Sequence, residues 1–497
     1  MRLSRFSLLA PFVSCLLFIF LNLSCDDGNG ISASDSGNPA VTSDDAFLVN
    51  ADRQNWIKRI IAGTPDWITS TMQRTSDGGI VICCPLESQM SGIDVLIVKL
   101  DRAGLIQWQK RFATVNDDVS FSVCQSSDGG YFLAGDGYLL KLSPDGNAQW
   151  ARYYDAGAIV HLENTGDGGC IAIGTLFVMK LDLQGGVQWL RRFDQSSWNI
   201  NTKIRQTREG GYILVSADES CNPEGGYQTR LRKLDRNGLI EWEKSYENPY
   251  RAGFLDASGE KFDASMSMND IVQTPDGGFI LAGQTESSPL EQLLYTDRDT
   301  DIAVMKLDTR GRIQWCRTFG RSLYLVGDIC DFGVSVIKTP DGGYAILGES
   351  MIEYEKDMGD DSEPVAVDDS WIWLLRLKAD GTLQWATSYD DDNKGSIPER
   401  LSFIEKADAV IGNSYGGFTV LGRSFSYDEQ GEIMLLNLDS GGRSPETSLD
   451  VKRTNAVARR YYPIVASMTT QFEEGSVEEG TVHPYDLTDS DYRIEDL

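Results

Sequence analysis

Between residues 56 and 442, short apolar runs alternate with clusters of Gly, Asp, Asn, Ser and Thr. The runs YFLAG (131–135), FILAG (279–283) and YAILG (344–348) each follow an acidic turn. A second set follows them: VLIVKLD (95–101), VMKLD (178–182), LRKLD (231–235) and AVMKLD (303–308). A third opens on Gly and ends on Trp: GLIQW (104–108), GNAQW (146–150), GVQW (186–189), GLIEW (238–242), GRIQW (311–315) and GTLQW (381–385). Short apolar segments bounded by such turn signals read as β-strands.

The turns repeat. Thr75-Ser-Asp-Gly-Gly79 recurs at 126–130, 165–169, 207–211, 274–278 and 339–343, and in decayed form as Asn413-Ser-Tyr-Gly-Gly417, seven copies in all. Asp-Gly favours a two-residue hairpin whose central residues have φ > 0. The preceding Thr or Ser can bond local backbone. Spacings from Gly78 to Gly416 are 51, 39, 42, 67, 65 and 74 residues, so the later repeats carry insertions. A four-stranded unit of ~40 residues repeated in this way predicts a β-propeller. The seventh repeat reaches IMLLNLDSGG (433–442) without a Trp strand, while Trp56-Ile-Lys-Arg-Ile60 precedes the first turn. The expectation is therefore an all-β, seven-bladed propeller of four-stranded antiparallel blades over 55–442. In this reading the N-terminal strand completes the last blade. An open solenoid is the alternative.

Repetition also assigns roles. Trp56, Trp108, Trp150, Trp189, Trp242, Trp315 and Trp385 recur once per repeat. An active site needs an aromatic once, so these point to packing between blades. Asp77, Asp128, Asp167, Asp276 and Asp341 are structural turn residues on the same argument, and Asp101, Asp182, Asp235 and Asp308 are turn caps.

Composition changes the picture in three places. Gly is 49 of 497 residues, above the usual ~7 %, which fits many tight turns. The 45 basic against 74 acidic side chains give a net charge of −29, which argues against a nucleic-acid partner. The chain has two His, His161 and His483, which weakens zinc and Ser/His/Asp chemistry. His161 falls in a strand and reads as structural.

Residues 1–25 have Arg2 and Arg5 before an apolar stretch from Leu8 to Leu21, a signal-peptide pattern. The ending Leu-Asn-Leu-Ser-Cys25 resembles the bacterial lipobox, although Asn22 departs from it. That resemblance implies a lipidated, palmitate-bearing Cys25 and a membrane anchor at the cell envelope, facing the periplasm or the outside. Residues 26–54, rich in Gly, Ser, Asn and Asp at their start, read as a flexible tether.

The unit Lys-Leu-Asp-x-x-Gly-x-Ile-x-Trp resembles the Trp-motif repeat of quinoprotein-like and WD40-like propellers. With its Asp-Gly-Gly turn it is similar to repeats of secreted and lipoprotein bacterial propellers. The resemblance implies the fold and leaves the function open. Quinoprotein dehydrogenases use a quinone, calcium and often an adjacent-Cys disulfide. Cys83-Cys84 is superficially such a pair, but it replaces Ala-Gly or Leu-Gly of other repeats and reads as two small core residues. Cys124 and Cys170 read as core, and Cys316 and Cys330 as a possible disulfide.

Asp297, Asp299 and Asp301 alternate and are calcium candidates. Ile302 stands where an EF-hand needs Gly, and no cofactor is expected. The inserts of repeats four to six, including 285–300 and 350–369, are expected to take a protein or glycan partner. Residues 443–497 leave the repeat as an acidic, partly ordered tail, in which Ala456–Thr470 reads as an extra strand packing on the ring. A lipid-anchored binding or scaffold module without a catalytic constellation is the reading that follows. The alternative is a propeller enzyme, a quinone-dependent dehydrogenase, hydrolase or lyase using central-channel carboxylates.

Overall fold

The computed structural model describes residues 56–61, 70–88, 92–113, 120–174, 176–193, 199–218, 227–248, 265–286, 300–320, 328–356, 365–391, 403–426 and 432–443, and strands within 449–496. Among these, all regular structure is β-strand, and no helix is long and apolar enough to cross a membrane. The signal peptide, Cys25, the tether, Asp297, Asp299 and His483 lie outside the described residues.

A leading strand β1 (Trp56–Ile61) precedes the first repeat, β2 (Thr71–Arg74), β3 (Ile80–Ser88), β4 (Gly92–Leu100) and β5 (Ile106–Ala113). The second repeat is β6 (Ser120–Gln125), β7 (Tyr131–Gly135), β8 (Tyr138–Leu142) and β9 (Ala148–Tyr153). The third is β10 (Ile159–Asn164), β11 (Cys170–Gly174), β12 (Phe177–Leu181) and β13 (Val187–Arg192). The fourth is β14 (Asn199–Gln206), β15 (Tyr212–Asp218), β16 (Gln228–Leu234) and β17 (Ile240–Glu247). The fifth is β18 (Met266–Gln273), β19 (Phe279–Glu286), β20 (Thr300–Leu307) and β21 (Ile313–Gly320). The sixth is β22 (Asp328–Lys338), β23 (Tyr344–Lys356), β24 (Val365–Leu377) and β25 (Leu383–Asp391). The last repeat supplies β26 (Phe403–Gly412), β27 (Phe418–Ser426) and β28 (Glu432–Leu438). Five C-terminal strands follow: β29 (Leu449–Arg453), β30 (Val457–Tyr461), β31 (Ile464–Ala466), β32 (Tyr485–Asp486) and β33 (Arg493–Asp496).

The fold is an all-β propeller of antiparallel meanders, but the expected count of seven separate four-stranded blades is corrected. The strands hydrogen-bond into five sheets, of 14, 5, 5, 5 and 4 strands. Two causes are visible. Long strands in the later repeats reach their neighbours, and single parallel bridges at Thr300↔Cys330 and Asp369↔Phe403 fuse those meanders into the large sheet. The short five-residue strands of the second and third repeats make no such bridge. The C-terminal strands then add a fifth strand to three of the smaller sheets.

Closure by an N-terminal strand is corrected with it. Strand β1 ends the large sheet, antiparallel to β28, and shares no sheet with β2. First and last repeats meet instead through packing. Ile82, Cys84, Leu96 and Val98 share one buried cluster with Leu421, Ile433 and Leu435. Equivalent clusters lie between other neighbours, as where Val95 and Ile97 meet Leu133 and Leu140. The core is thus distributed between repeats, and inner strands such as β7, β8, β11 and β12 are buried on both faces and read as nearly unbroken apolar runs.

The turns also differ from expectation. Gly78 N donates to Thr75 O at 2.9 Å and Thr75 N to Gly79 O at 2.9 Å. This leaves Ser76, Asp77 and Gly78 as a three-residue loop, with Gly78 at φ 84°. A three-residue loop needs one left-handed residue at its end, where the two-residue type needs two. One Gly therefore suffices.

Candidate functional site

The repeated residues form joints. Thr75 Oγ1 donates to Asp77 Oδ1 at 2.5 Å, and the Gly79 amide donates to the same oxygen at 3.0 Å. Asp77 also takes the Lys99 ammonium at 2.9 Å, and that ammonium donates to Leu100 O at 2.7 Å. Pairs of the same kind are Asp128–Lys141, Asp167–Lys180 and Asp276–Lys306, each at 2.9 Å, and Asp341–Arg376. The lysine is buried and the aspartate half-exposed: 3 % against 49 % in the first pair. Burial works to raise the Asp77 carboxyl. Hydrogen bonds from Thr75, Lys99 and the Gly79 amide overcome it and hold the carboxyl at about 2, as they do for Asp276 with Thr274, Lys306 and Gly278. In the last repeat both charges are gone together. Tyr415 stands in the Asp position and Asn437 in the Lys position, and Asn413 Nδ2 donates to Asn437 Oδ1 at 3.1 Å. The lysine's role was not read from the sequence, although its recurrence before Leu-Asp at Lys99, Lys180, Lys233 and Lys306 was the signal.

The Trp side chains lie between repeats. Trp108 meets Tyr131, Trp189 meets Tyr212, Trp242 meets Phe279, Trp315 meets Tyr344 and Trp385 meets Phe418, with centroids 5.5–6.3 Å apart. Each indole also covers a hairpin glycine of the next repeat. A Cβ on Gly185 (φ 77°) would lie 2.7 Å from the Trp150 ring, and one on Gly238 2.7 Å from Trp189. Trp56 stands opposite Asn437 in the ladder, as Trp108 stands opposite Lys99.

A different set of charges gathers on the first strands of the repeats. Asp270 on β18 accepts from Arg205 Nη2 on β14 at 3.0 Å, from Ser335 Oγ at 3.0 Å and from the Val336 amide at 3.1 Å. Arg205 also faces Glu163 at 3.5 Å and His161 Nε2 at 3.3 Å. Arg423 grips Asp408 through Nε at 2.8 Å and Nη2 at 2.9 Å, with both side chains buried. Each of these strands carries a register shift beside the charged residue, as at Met268/Asp270 and Ala407/Ala409. Such bulges re-aim a side chain. Burial holds His161 well below its ordinary 6.5, with Lys203 and Arg205 adding to the effect, so the ring is neutral. Burial lowers Lys203 and raises Glu163 against the pull of Arg205. His161 Nδ1 and Thr202 Oγ1 are buried without a hydrogen-bond partner. Asp270 is separated from Arg205 by 65 residues, and no sequence period pointed to the pair.

The remaining candidates separate. Asp301 stands opposite Thr285 in the β19–β20 ladder. Among the described residues no group of three His, Cys, Asp or Glu could hold a metal. Cys316 lies on β21 and Cys330 on β22. Cys316 packs with Tyr246 and Met305, while Cys330 pairs with Met351 and Thr300 on another strand. Cys83 and Cys84 enter different core clusters, because adjacent strand residues face opposite ways. Cys124 and Cys170 share one buried cluster.

No protein family matches the sequence, and no curated protein does. Solved structures do resemble it. A protein of unknown function from Bacteroides caccae is 12 % identical with a TM-score of 0.34, over 67 % of this chain and 96 % of that one. The Dos1 propeller is 9 % identical with a TM-score of 0.40, over 79 % and 97 %. BBS1N in complex with ARL6DN is 9 % identical with a TM-score of 0.39, over 79 % and 96 %. At such scores the argument for a propeller stays with the strand pairing described above.

Proposed function

We propose that the chain is a binding and scaffold propeller, without catalytic activity of its own, that presents a projecting hairpin to a partner. The observation that carries this reading is the length of β23 and β24. Each has 13 residues where β7 and β8 have five, and their ladder runs on to Lys356↔Val365, three pairs past the last β22 partner at Glu353. A rigid ring with one extended arm suits recognition, since loops on a rigid scaffold carry function. The arm is acidic, with Glu353, Glu355, Asp368 and Asp369 near its end, which favours a cationic protein surface over a neutral glycan.

The enzyme reading has less support. The carboxylates Glu163, Asp270 and Asp408 are engaged with Arg205 and Arg423. In our reading the lipobox-like Cys25 anchors the scaffold by acyl chains at the cell envelope, facing the periplasm or the outside. The resemblance of the repeat to lipoprotein propellers supports the same placement. A photo-crosslinking residue at Tyr354 tests the binding surface. A covalent adduct of defined mass, missing when the probe sits at the exposed Leu239, is expected. Equal labelling from both positions would contradict the reading.

A further inference from the structure

The C-terminal strands fall on the ring in an order. Strand β29 pairs antiparallel with β25, β30 with β21, β31 with β17, β32 with β9 and β33 with β5. Every acceptor is the last strand of its repeat, and so its outer edge. Running from Leu449 to Asp496, the chain meets the sixth, fifth, fourth, second and first repeats in turn. It retraces the ring in reverse.

We propose that these outer edges are a strand-accepting surface, and that the chain's own strands β29 to β33 are its occupants, a belt of short pairings on the propeller. An outer strand presents a row of unpaired amides and carbonyls, which proteins ordinarily cover. Extended segments bind such edges through main-chain hydrogen bonds. The registers run over five residues at β29 and β30, three at β31, two at β32 and four at β33. Pairings so short do not hold alone. Joined on one chain, each raises the effective concentration of the next. In register Asp486 falls opposite Arg152, Glu495 opposite Arg111 and Asp496 opposite Lys110, whereas Asp450 falls opposite Asp390 and Arg460 opposite Arg317. No single charge rule runs through the five registers, so the pairing rests on the backbone hydrogen bonds.

Hydrogen exchange on the full chain tests the belt. Proline at Ala458 or at Arg459 in β30 removes an amide, and in an antiparallel ladder one of the two neighbouring amides faces the partner strand. One of Ala458→Pro and Arg459→Pro should speed exchange in β21 at least tenfold, leaving β20 and β13 unchanged. Unchanged exchange in β21 with both variants would overturn the proposal. A variant that unfolds would speed β20 as well. In that event a second arm decides: a peptide of residues 449–466 added in excess to the native chain should displace β29, β30 and β31 and open that stretch of the chain to a protease. Failure of the peptide to expose that stretch overturns the proposal. Protection of β21 that rises with protein concentration would place the belt on a second copy, and overturns the assignment within one chain.

Discussion

Asp77 and Lys99, 22 residues apart, share a 2.9 Å ion pair in which the cation is buried and the anion half-exposed. The asymmetry fixes which partner matters more. Removing the lysine leaves a carboxylate that water can solvate. Removing the aspartate leaves a buried ammonium with the Leu100 carbonyl as its remaining partner on the joint. Asp77→Ala should therefore cost about 2–3 kcal/mol, and Lys99→Met less than about 1 kcal/mol. Denaturant melts of the two variants check the order, and a reversed order contradicts the joint.

Acid should dissolve these joints. Asp77 and Asp276 are held at about 2 in the folded chain, against an ordinary 3.8. A depressed folded value means that the unfolded chain takes up protons first as the pH falls. The stabilisation is whole above about pH 4 and is lost between about pH 4 and pH 2. The carboxylates are half-exposed, so each contribution is modest. Thermal melts across this window should show a steep loss, and Asp77→Ala with Asp276→Ala should flatten it. An unaltered slope in the double variant would contradict the account.

Two glycines separate backbone strain from the indole contact. Gly185 and Gly210 both have positive φ, 77° and 87°. A Cβ at Gly185 strikes Trp150, whereas nothing lies within 4 Å of one at Gly210. Gly210→Ala should cost about 1 kcal/mol from left-handed backbone alone, and Gly185→Ala about 3 kcal/mol through the added overlap. Equal losses would mean that the Trp does not need the bare glycine.

The buried Asp408–Arg423 pair gives a further test. Arg423→Met alone leaves the buried Asp408 carboxylate with the Ser70 backbone and the more distant Lys406 charge, and should cost about 3 kcal/mol. The double variant Asp408→Leu/Arg423→Met should recover most of that loss. A double variant no better than the single one would contradict the claim that the stranded charge causes the loss.

How far the sequence announced this structure depends on the residue. Asp77, Gly78 and Trp108 recur with their neighbours, so repetition exposed the turns and the packing between repeats. The joint of Lys99 to Asp77 was half visible, since the lysine recurs but its partner lies across a hairpin. The number of sheets was not visible. It depends on whether Thr300 and Asp369 reach the next repeat, and a one-residue bridge leaves no pattern. An extra strand within Ala456–Thr470 was legible, but its partner β21 was hidden, because an edge-bound strand is selected by backbone hydrogen bonds that any sequence without Pro can make. Asp270 and Arg205 sit at non-repeating positions, and their contact depended on the curvature of the ring.

The projecting hairpin carries the central claim. Glu353 and Asp368 are register partners, so residues 354–367 can be replaced by a two-residue Asn-Gly turn that keeps the ladder below intact. Partner capture by in-cell crosslinking, read beside the melting temperature, is the direct measurement. The account predicts that the shortened chain melts like the native one and no longer captures its partner. A shortened chain that melts alike and captures as before would contradict it.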